Sequence, residues 1–408
     1  MLKIDAVPFF DNHTHFISAA AAPVEPLDLA LAFCHGWGPV LPDDAPLGMS
    51  AERFCCDAEY EKHAMNTGVF KALICQLARY YGCEADPEVV AAERNRRSAG
   101  DGAAYVKEMY ADSRVIAEVV DEGVPMNDPS LQCFPVKVLR LFQMDPAIRR
   151  QLAVSGSYEE LRSWFENLVH EKMKEGYIGL KSHVLELLDE TPYDVSDEEA
   201  SFCFEGAKAG DRKAFGRIYQ ALFCRAMILS QQLGFTIHIH TGTTGNSGSD
   251  IHGDKTQKGE MRISSNDPYL LCPLLRDRRY MAARLVLLHG NYPDIRRAAL
   301  MTHAFPNVYM DLSWVLPWTA LGFERNLAEA LEIAMHDKLM LGTGQHNFPE
   351  MSWLAARLAR QGLQRILQGY IEKGLMDEKQ AYETACDVMY RNAMKLYGCD
   401  GMEEENHD

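Results

Sequence analysis

Phe10-Asp11-Asn12-His13-Thr14-His15-Phe16 follows a short apolar run, Val7-Pro8-Phe9-Phe10. In a β-strand, residues two apart point to the same face. His13 and His15 are therefore expected to project together, with Asp11 beside them. Two imidazoles at that spacing at a strand end can hold one divalent metal. Alone the pair says little, because buried histidines also serve merely to satisfy hydrogen bonds. What gives it weight is the rest of the chain, where more strand-like runs end in histidine.

Arg114–Asp121, Val136–Phe142, Tyr177–His183, Phe235–Thr241, Arg284–His289, Val308–Ser313 and Lys338–Thr343 read as seven further strands. Helical stretches separate most of them. A long excursion, about residues 17–113, is helical in composition from Ser50 to Tyr81, with loop punctuation at Pro39, Pro42, Pro46 and Gly48. Tyr158–Glu175 spaces Leu161, Phe165, Leu168 and Met173 for one helix face, and residues 195–233 form a second helical insert. Asp377 with Gln380 can cap a last helix, which Gly398 can end. Alternation of this kind means a parallel sheet. Eight such units predict an α/β fold, a (β/α)8 TIM barrel with helical insertions after strands 1 and 4. One domain is expected over residues 1–400. The acidic tail, 401–408, is too polar to pack, which makes His407 a poor ligand.

The length of 408 residues suits a barrel with insertions, and a hydrophobic fraction of 47% is that of a globular chain. Lys plus Arg number 41 against 58 Asp plus Glu, a formal charge of −17. That balance repels a nucleic-acid backbone. Arg94, Arg96 and Arg97 read as a solvated helix face rather than a basic patch. No signal peptide and no bilayer-spanning run is seen, so neither nucleic acid nor membrane is expected as a partner. The eleven cysteines are scattered, without a Cys-x-x-Cys pair, and adjacent Cys55-Cys56 reads as helix. They fit reduced thiols in the cytoplasm. A small-molecule substrate is the expected partner, and a homo-oligomer is left open.

In such barrels catalytic groups sit at the C-terminal ends of strands. Read that way, the chain offers His13 and His15 on strand one, Lys181 and His183 on strand four, His238 and His240 on strand five, and His289 on strand six. His238 has a bland alternative as a packed core histidine, and His183 as a turn cap. Four strands ending in ligand-type residues are harder to dismiss, since unpaired buried polar groups are costly.

Longer motifs accompany these ends. They are Asp11-Asn-His-Thr-His15, Gly179-Leu-Lys-Ser182, His240-Thr-Gly242, Ser265-Asn-Asp-Pro-Tyr-Leu-Leu271 before Pro273-Leu-Leu275, and Leu287-Leu-His-Gly-Asn-Tyr-Pro293. Asn307-Val-Tyr-Met-Asp-Leu312, Phe348-Pro-Glu350 and Arg391-Asn-Ala-Met-Lys-Leu-Tyr397 complete the set. Together they resemble the metal-dependent amidohydrolase superfamily, and more closely its amidohydrolase 2 subgroup with the nodulin/FluG-type domains. The resemblance runs over nearly the whole chain and is specific only as a set. It implies His13, His15 and His240 as metal ligands. His289 would bind a second metal or hydrogen-bond the water or substrate. Lys181 would either be carboxylated, bridging two metals, or contact substrate. One or two divalent ions, zinc foremost, would lower the pKa of a bound water and polarise a carbonyl.

One departure stands out in Gly342-Thr-Gly-Gln-His-Asn-Phe-Pro-Glu350. The resemblance implies an aspartate at the end of strand eight that binds metal and accepts a proton, but Gly344 stands there. His346 is a candidate replacement base, as is Asp311 on strand seven. Restoring the acid, Gly344→Asp, is expected to raise metal occupancy and hydrolysis. Three functions follow as expectations. The first is a metal-dependent hydrolase of a C–N bond in a small carboxylate-bearing compound, impaired at Gly344. Arg140 could hold that carboxylate or form a structural salt bridge, and His238 is a candidate substrate contact. The second is a decarboxylase or isomerase of the same superfamily. The third is a non-catalytic ligand-binding homologue.

Overall fold

The computed structural model describes residues 1–15, 17, 22–32, 63–121, 134–188, 191–242, 266–344 and 348–399. All eight expected strands form, parallel and in chain order: β1 (Phe9–Thr14), β2 (Val115–Asp121), β3 (Lys137–Gln143), β4 (Gly179–Ser182), β5 (Thr236–His240), β6 (Arg284–Leu288), β7 (Val308–Asp311) and β8 (Leu339–Met340). β8 is shorter than its apolar run suggested. The chain beyond it still joins β1, through Asn12 N to Leu341 O at 3.0 Å and Gly344 N to His13 O at 2.7 Å. The eight strands thus form a (β/α)8 barrel. Its apolar runs fit strands buried on both faces, and β5, β6 and β7 are buried almost throughout.

Several helices begin where side chains provide caps. Ser157 accepts from Glu160 N at the start of Tyr158–Lys174, and Asp211 accepts from Lys213 N and Ala214 N at the start of Arg212–Leu233. Leu161 and Phe165 are buried in the first of these, as their spacing required. Its third core residue is Val169 rather than Leu168. Asp377 and Gln380 form the expected reciprocal cap, and Gly398 ends the last helical stretch at φ 67°. Among the described residues no helix is long and apolar enough to cross a membrane.

That last stretch places Tyr397 against the barrel floor. Its ring stacks on Phe10 and His238, and its hydroxyl bonds Asn12 Oδ1 at 2.5 Å. One charge departs from its expected place on a solvated face. Arg94 is buried, not solvated: its Nε donates to Glu350 Oε1 at 2.7 Å and its Nη1 to Ala22 O at 2.5 Å. Arg96 does face solvent, paired with Glu93. Arg94 therefore ties the chain after β1 to the helix Pro349–Glu372 that follows β8. The tail and Cys55-Cys56 lie outside the described residues.

Candidate metal centre

The histidine pair of β1 is set by a bulge. Asp11 pairs with Glu118 and Thr14 with Val120, so three steps along β1 match two along β2. The extra residue breaks the alternation and re-aims the strand end. Asp11 stays next to His13 but outside the ligand group: its Oδ1 accepts from His13 N at 3.2 Å. Its carboxylate accepts from Thr343 N at 2.9 Å and from the Thr343 hydroxyl, joining β1 to the end of β8. Burial pushes this carboxyl up to about 7.

What stands beside His13 and His15 is Asp121, the last residue of β2. One ligand-type atom from each of the three lies within 4.8 Å of the others. Both ring nitrogens of His13 are buried with no hydrogen-bond partner among the described residues. Burial, then the nearby Lys181 and His15, holds the His13 pKa well below its ordinary value, so the ring is neutral. His15 Nδ1 lies 2.8 Å from Asp121 O. A carbonyl can only accept, so Nδ1 carries the proton and Nε2 keeps its lone pair. Burial alone would raise the Asp121 carboxyl, but Lys181, His15 and His183 outweigh it and hold it below the usual range. Lys181 Nζ sits 3.1 Å from Asp121 Oδ2, with both side chains almost fully buried. The donor set is two imidazoles and one carboxylate. Leaving a buried polar atom unpaired costs about 1–3 kcal/mol, a cost that a divalent ion would remove. The residues present therefore fit such an ion.

The opposite side of the mouth carries two histidine–carboxylate pairs. His240 Nε2 lies 3.4 Å from Glu186 Oε1, and His183 Nδ1 lies 3.1 Å from Asp145 Oδ2. Their rings are 5.4 Å apart. Burial raises the Glu186 carboxyl. Burial also opposes ionisation of Asp145, but His183 and Tyr219 outweigh it and lower its pKa. His289 connects the two sides, with ring centroids 5.2 Å from His13 and 4.5 Å from His240.

The tautomer of His289 follows from its neighbours. Asp311 accepts from Asn12 Nδ2, His289 N and Ser313 N at 2.8, 2.9 and 3.1 Å, and from Ser313 Oγ at 2.8 Å. The one hydroxyl proton of Ser313 is thereby used. Ser313 Oγ, 2.9 Å from His289 Nδ1, must accept from it. Nε2 is left with the lone pair, buried and without a partner among the described residues.

The residues singled out in the sequence thus separate. His13, His15, Lys181, His240 and His289 gather at one mouth. His240 stands beside Glu186 and outside the group formed by His13, His15 and Asp121. Asp311 is buried under four donors and orients His289 and Ser313. His238 lies one pleat below His240, bonded to Thr236 Oγ1 at 3.1 Å and 3.3 Å from the Tyr397 hydroxyl. Burial, then Lys181, pushes it down to about 3. It belongs to the floor rather than to a substrate surface. Arg140 pairs with Val120 while Leu141 pairs with Asp121, so strand alternation turns it away from the centre. It lies over the ring of Tyr177 at 5.4 Å. It does not reach the mouth to meet a substrate carboxylate. His346 lies outside the described residues.

Asp121, Asp145, Glu186 and Trp314 were missed as site residues. Asp121 ended an apolar run as the histidines did, and the same strand-end rule applied to acids would have found it. Glu186 stood as a lone acid within Val184-Leu-Glu-Leu187. Gly344 holds a second surprise. Its φ is +60°, and a Cβ there would lie 1.8 Å from Trp314 Cδ1. The space for the expected aspartate is filled by an indole, so Gly344→Asp cannot simply restore an acid.

Comparison with known proteins bears on this geometry. Residues 202–399 match the family model described as amidohydrolase. Protein fluG of Emericella nidulans is 36% identical over 120 residues, which is 29% of this chain and 14% of that protein. The matched stretch spans about one seventh of that relative's length. Among solved structures, a protein of Lactobacillus casei ATCC 334, provisionally described as a metal-dependent hydrolase, superposes with a TM-score of 0.77. Its sequence identity is 18%, over 98% of this chain and 97% of that one. A glucuronate isomerase of Caulobacter crescentus gives 0.65 at 17% identity, covering 97% and 92%. A uronate isomerase of Thermotoga maritima gives 0.63 at 16%, covering 97% and 95%. At those identities the structures speak for the fold alone. Residues 202–399 are thus similar to the amidohydrolase family, and the whole chain shares its fold with these solved structures.

Proposed function

We propose that this chain is a metal-dependent enzyme that moves a proton within a small carbonyl or hydroxy-carboxylate compound, an isomerase-type reaction. The observation that carries this reading is the division of the mouth. Ligand atoms of His13, His15 and Asp121 gather on one side, and the pairs His240–Glu186 and His183–Asp145 stand on the other. A divalent ion held by the first group supplies Lewis acidity toward a substrate oxygen.

The chain's own residues account for the rest. Asp145 fixes the His183 ring through Nδ1, which turns Nε2 outward as a proton acceptor. Glu186 does the same for His240 from its Nε2 side. Imidazoles oriented by carboxylates are suited to general acid–base work. Two of them 5.4 Å apart can serve neighbouring carbons of one substrate. Lys181 keeps Asp121 ionised and adds positive charge where a substrate carboxylate would lie.

Hydrolysis of a C–N bond is the second reading, favoured by the amidohydrolase match. Against it stands Gly344, which supplies no proton acceptor on the strand-eight side. The test is a panel of uronates and small N-acyl amino acids, each incubated in D2O with zinc or manganese. Metal-dependent deuterium incorporation at carbon supports the first reading. Amine release without incorporation would replace it with the second.

A further inference from the structure

Trp314 has a backbone that few residues adopt. Its φ is 65° and its ψ −46°, and Val315 N donates to Ser313 O at 2.8 Å across it. That is a γ-turn of the positive-φ kind, which is rare and strained. For a bulky side chain such a conformation persists only where its surroundings over-determine it, and it directs attention to function.

The turn has two consequences for one neighbour. It presents Ser313 O to His289 Nδ1 at 3.3 Å, and it lays the indole flat on the His289 ring, 4.0 Å between centroids at 15°. The indole is fixed in turn. Trp314 Nε1 donates to Gly344 O at 3.0 Å, and Trp318 stacks behind it at 4.6 Å and 23°. Offset-stacked rings attract beyond their buried area. His289 also has positive φ, 66°, so its own backbone is held in an unusual state. The floor of this arrangement is Gly344, where any Cβ would overlap the indole.

We infer that Trp314 is a positioning residue that clamps the His289 ring, with its Nε2 lone pair turned to the centre of the site, and that Gly344 is the space this clamp requires. The pair lines the strand-eight side with an aromatic wall. Nothing here rests on the reaction proposed above. The same clamp would act in a hydrolase.

The test is nitrogen-15 NMR of histidine-labelled protein as purified, comparing the unmodified chain with Trp314→Phe, Trp314→Ala and Gly344→Ala. In the unmodified chain, His289 is expected as a single tautomer with the proton on Nδ1. Trp314→Phe keeps a ring on His289 and should preserve that signature. Trp314→Ala removes the clamp, and Gly344→Ala displaces the indole from below. Both should move the two His289 nitrogen signals toward tautomer averaging, while His15, held by Asp121 O, stays unchanged. A fixed Nδ1–H tautomer in both alanine variants would overturn the inference. So would averaging in Trp314→Phe, the variant of closest shape, which decides the matter should an alanine variant fail to fold.

Discussion

On the β1–β2 flank of the barrel mouth, His13, His15 and Asp121 bring ligand atoms together, and the His13 nitrogens have no described partner. On the β7–β8 flank, Trp314 stacks on His289 with Trp318 behind it, and Gly344 makes room for the Trp314 indole. Both flanks are buried and both end parallel strands. They differ in what is left unsatisfied. The first flank brings ligand atoms of three residues together, whereas the second is closed by ring contacts and one indole hydrogen bond and leaves the lone pair of His289 Nε2 without a described partner. An ion is thus expected beside His13, His15 and Asp121, with the pairs His240–Glu186 and His183–Asp145 beyond it.

The contrast can be broken at Asp121. Asp121→Ala removes a ligand atom and leaves Lys181 buried without its partner at 3.1 Å. Breaking a buried pair this way typically costs about 3–5 kcal/mol. Urea unfolding should show that loss, and elemental analysis should show depleted metal. A stable variant with full metal content would mean that Asp121 is neither ligand nor ion-pair partner.

His13→Ala should weaken metal binding by roughly 100-fold or more, beyond the ~10–100-fold typical of losing an outer supporting group. Competition with a chelator reads this directly. Equal affinity in variant and parent would remove the ion from the β1–β2 flank.

Gly344→Asp probes the other flank. The sequence alone recommended it as a restoration. With the Trp314 ring in the way and φ at +60°, it should instead destabilise, by about 1–3 kcal/mol as overpacking does. Denaturation midpoints will show it. A gain in both stability and metal content would establish that the indole is easily displaced and that the flank is open.

The smallest expected effect sharpens the boundary. His240→Gln should leave metal content nearly unchanged, because His240 faces Glu186 and stands outside the ligand group. A clear fall would return His240 to the ligand role that the family resemblance implied. On the floor, His238 should remain neutral at pH 5, since burial depresses its pKa to about 3. An NMR titration that shows it protonating near 6.5 would place it in a wetter environment than the structure does.

Much of this was legible before any coordinates. The eight strands were read from apolar runs at their ends and the last helix from Asp377, Gln380 and Gly398, because each rests on local spacing or local capping. The clustering of His13, His15, Lys181, His240 and His289 was legible too, since parallel strands of a barrel bring their C-terminal ends to one mouth. Arg94 was not legible. Its neighbours Arg96 and Arg97 mark a solvated face, and only the approach of Glu350 from 256 residues away makes its burial tolerable. Arg140 was left open between a substrate carboxylate and a structural pairing, because which face of β3 meets the interior depends on its register with β2.

The sequence by itself determined which side chains reach the mouth, for strand order and strand ends are properties of the chain. The tertiary structure decided how they divide into partners. Past a one-residue bulge in β1, Asp121 rather than Asp11 supplies the carboxylate beside the two imidazoles. A strained turn at Trp314 filled the space above Gly344. Both are outcomes of neighbouring strands competing for the same few ångströms, and that competition exists only once the barrel has closed.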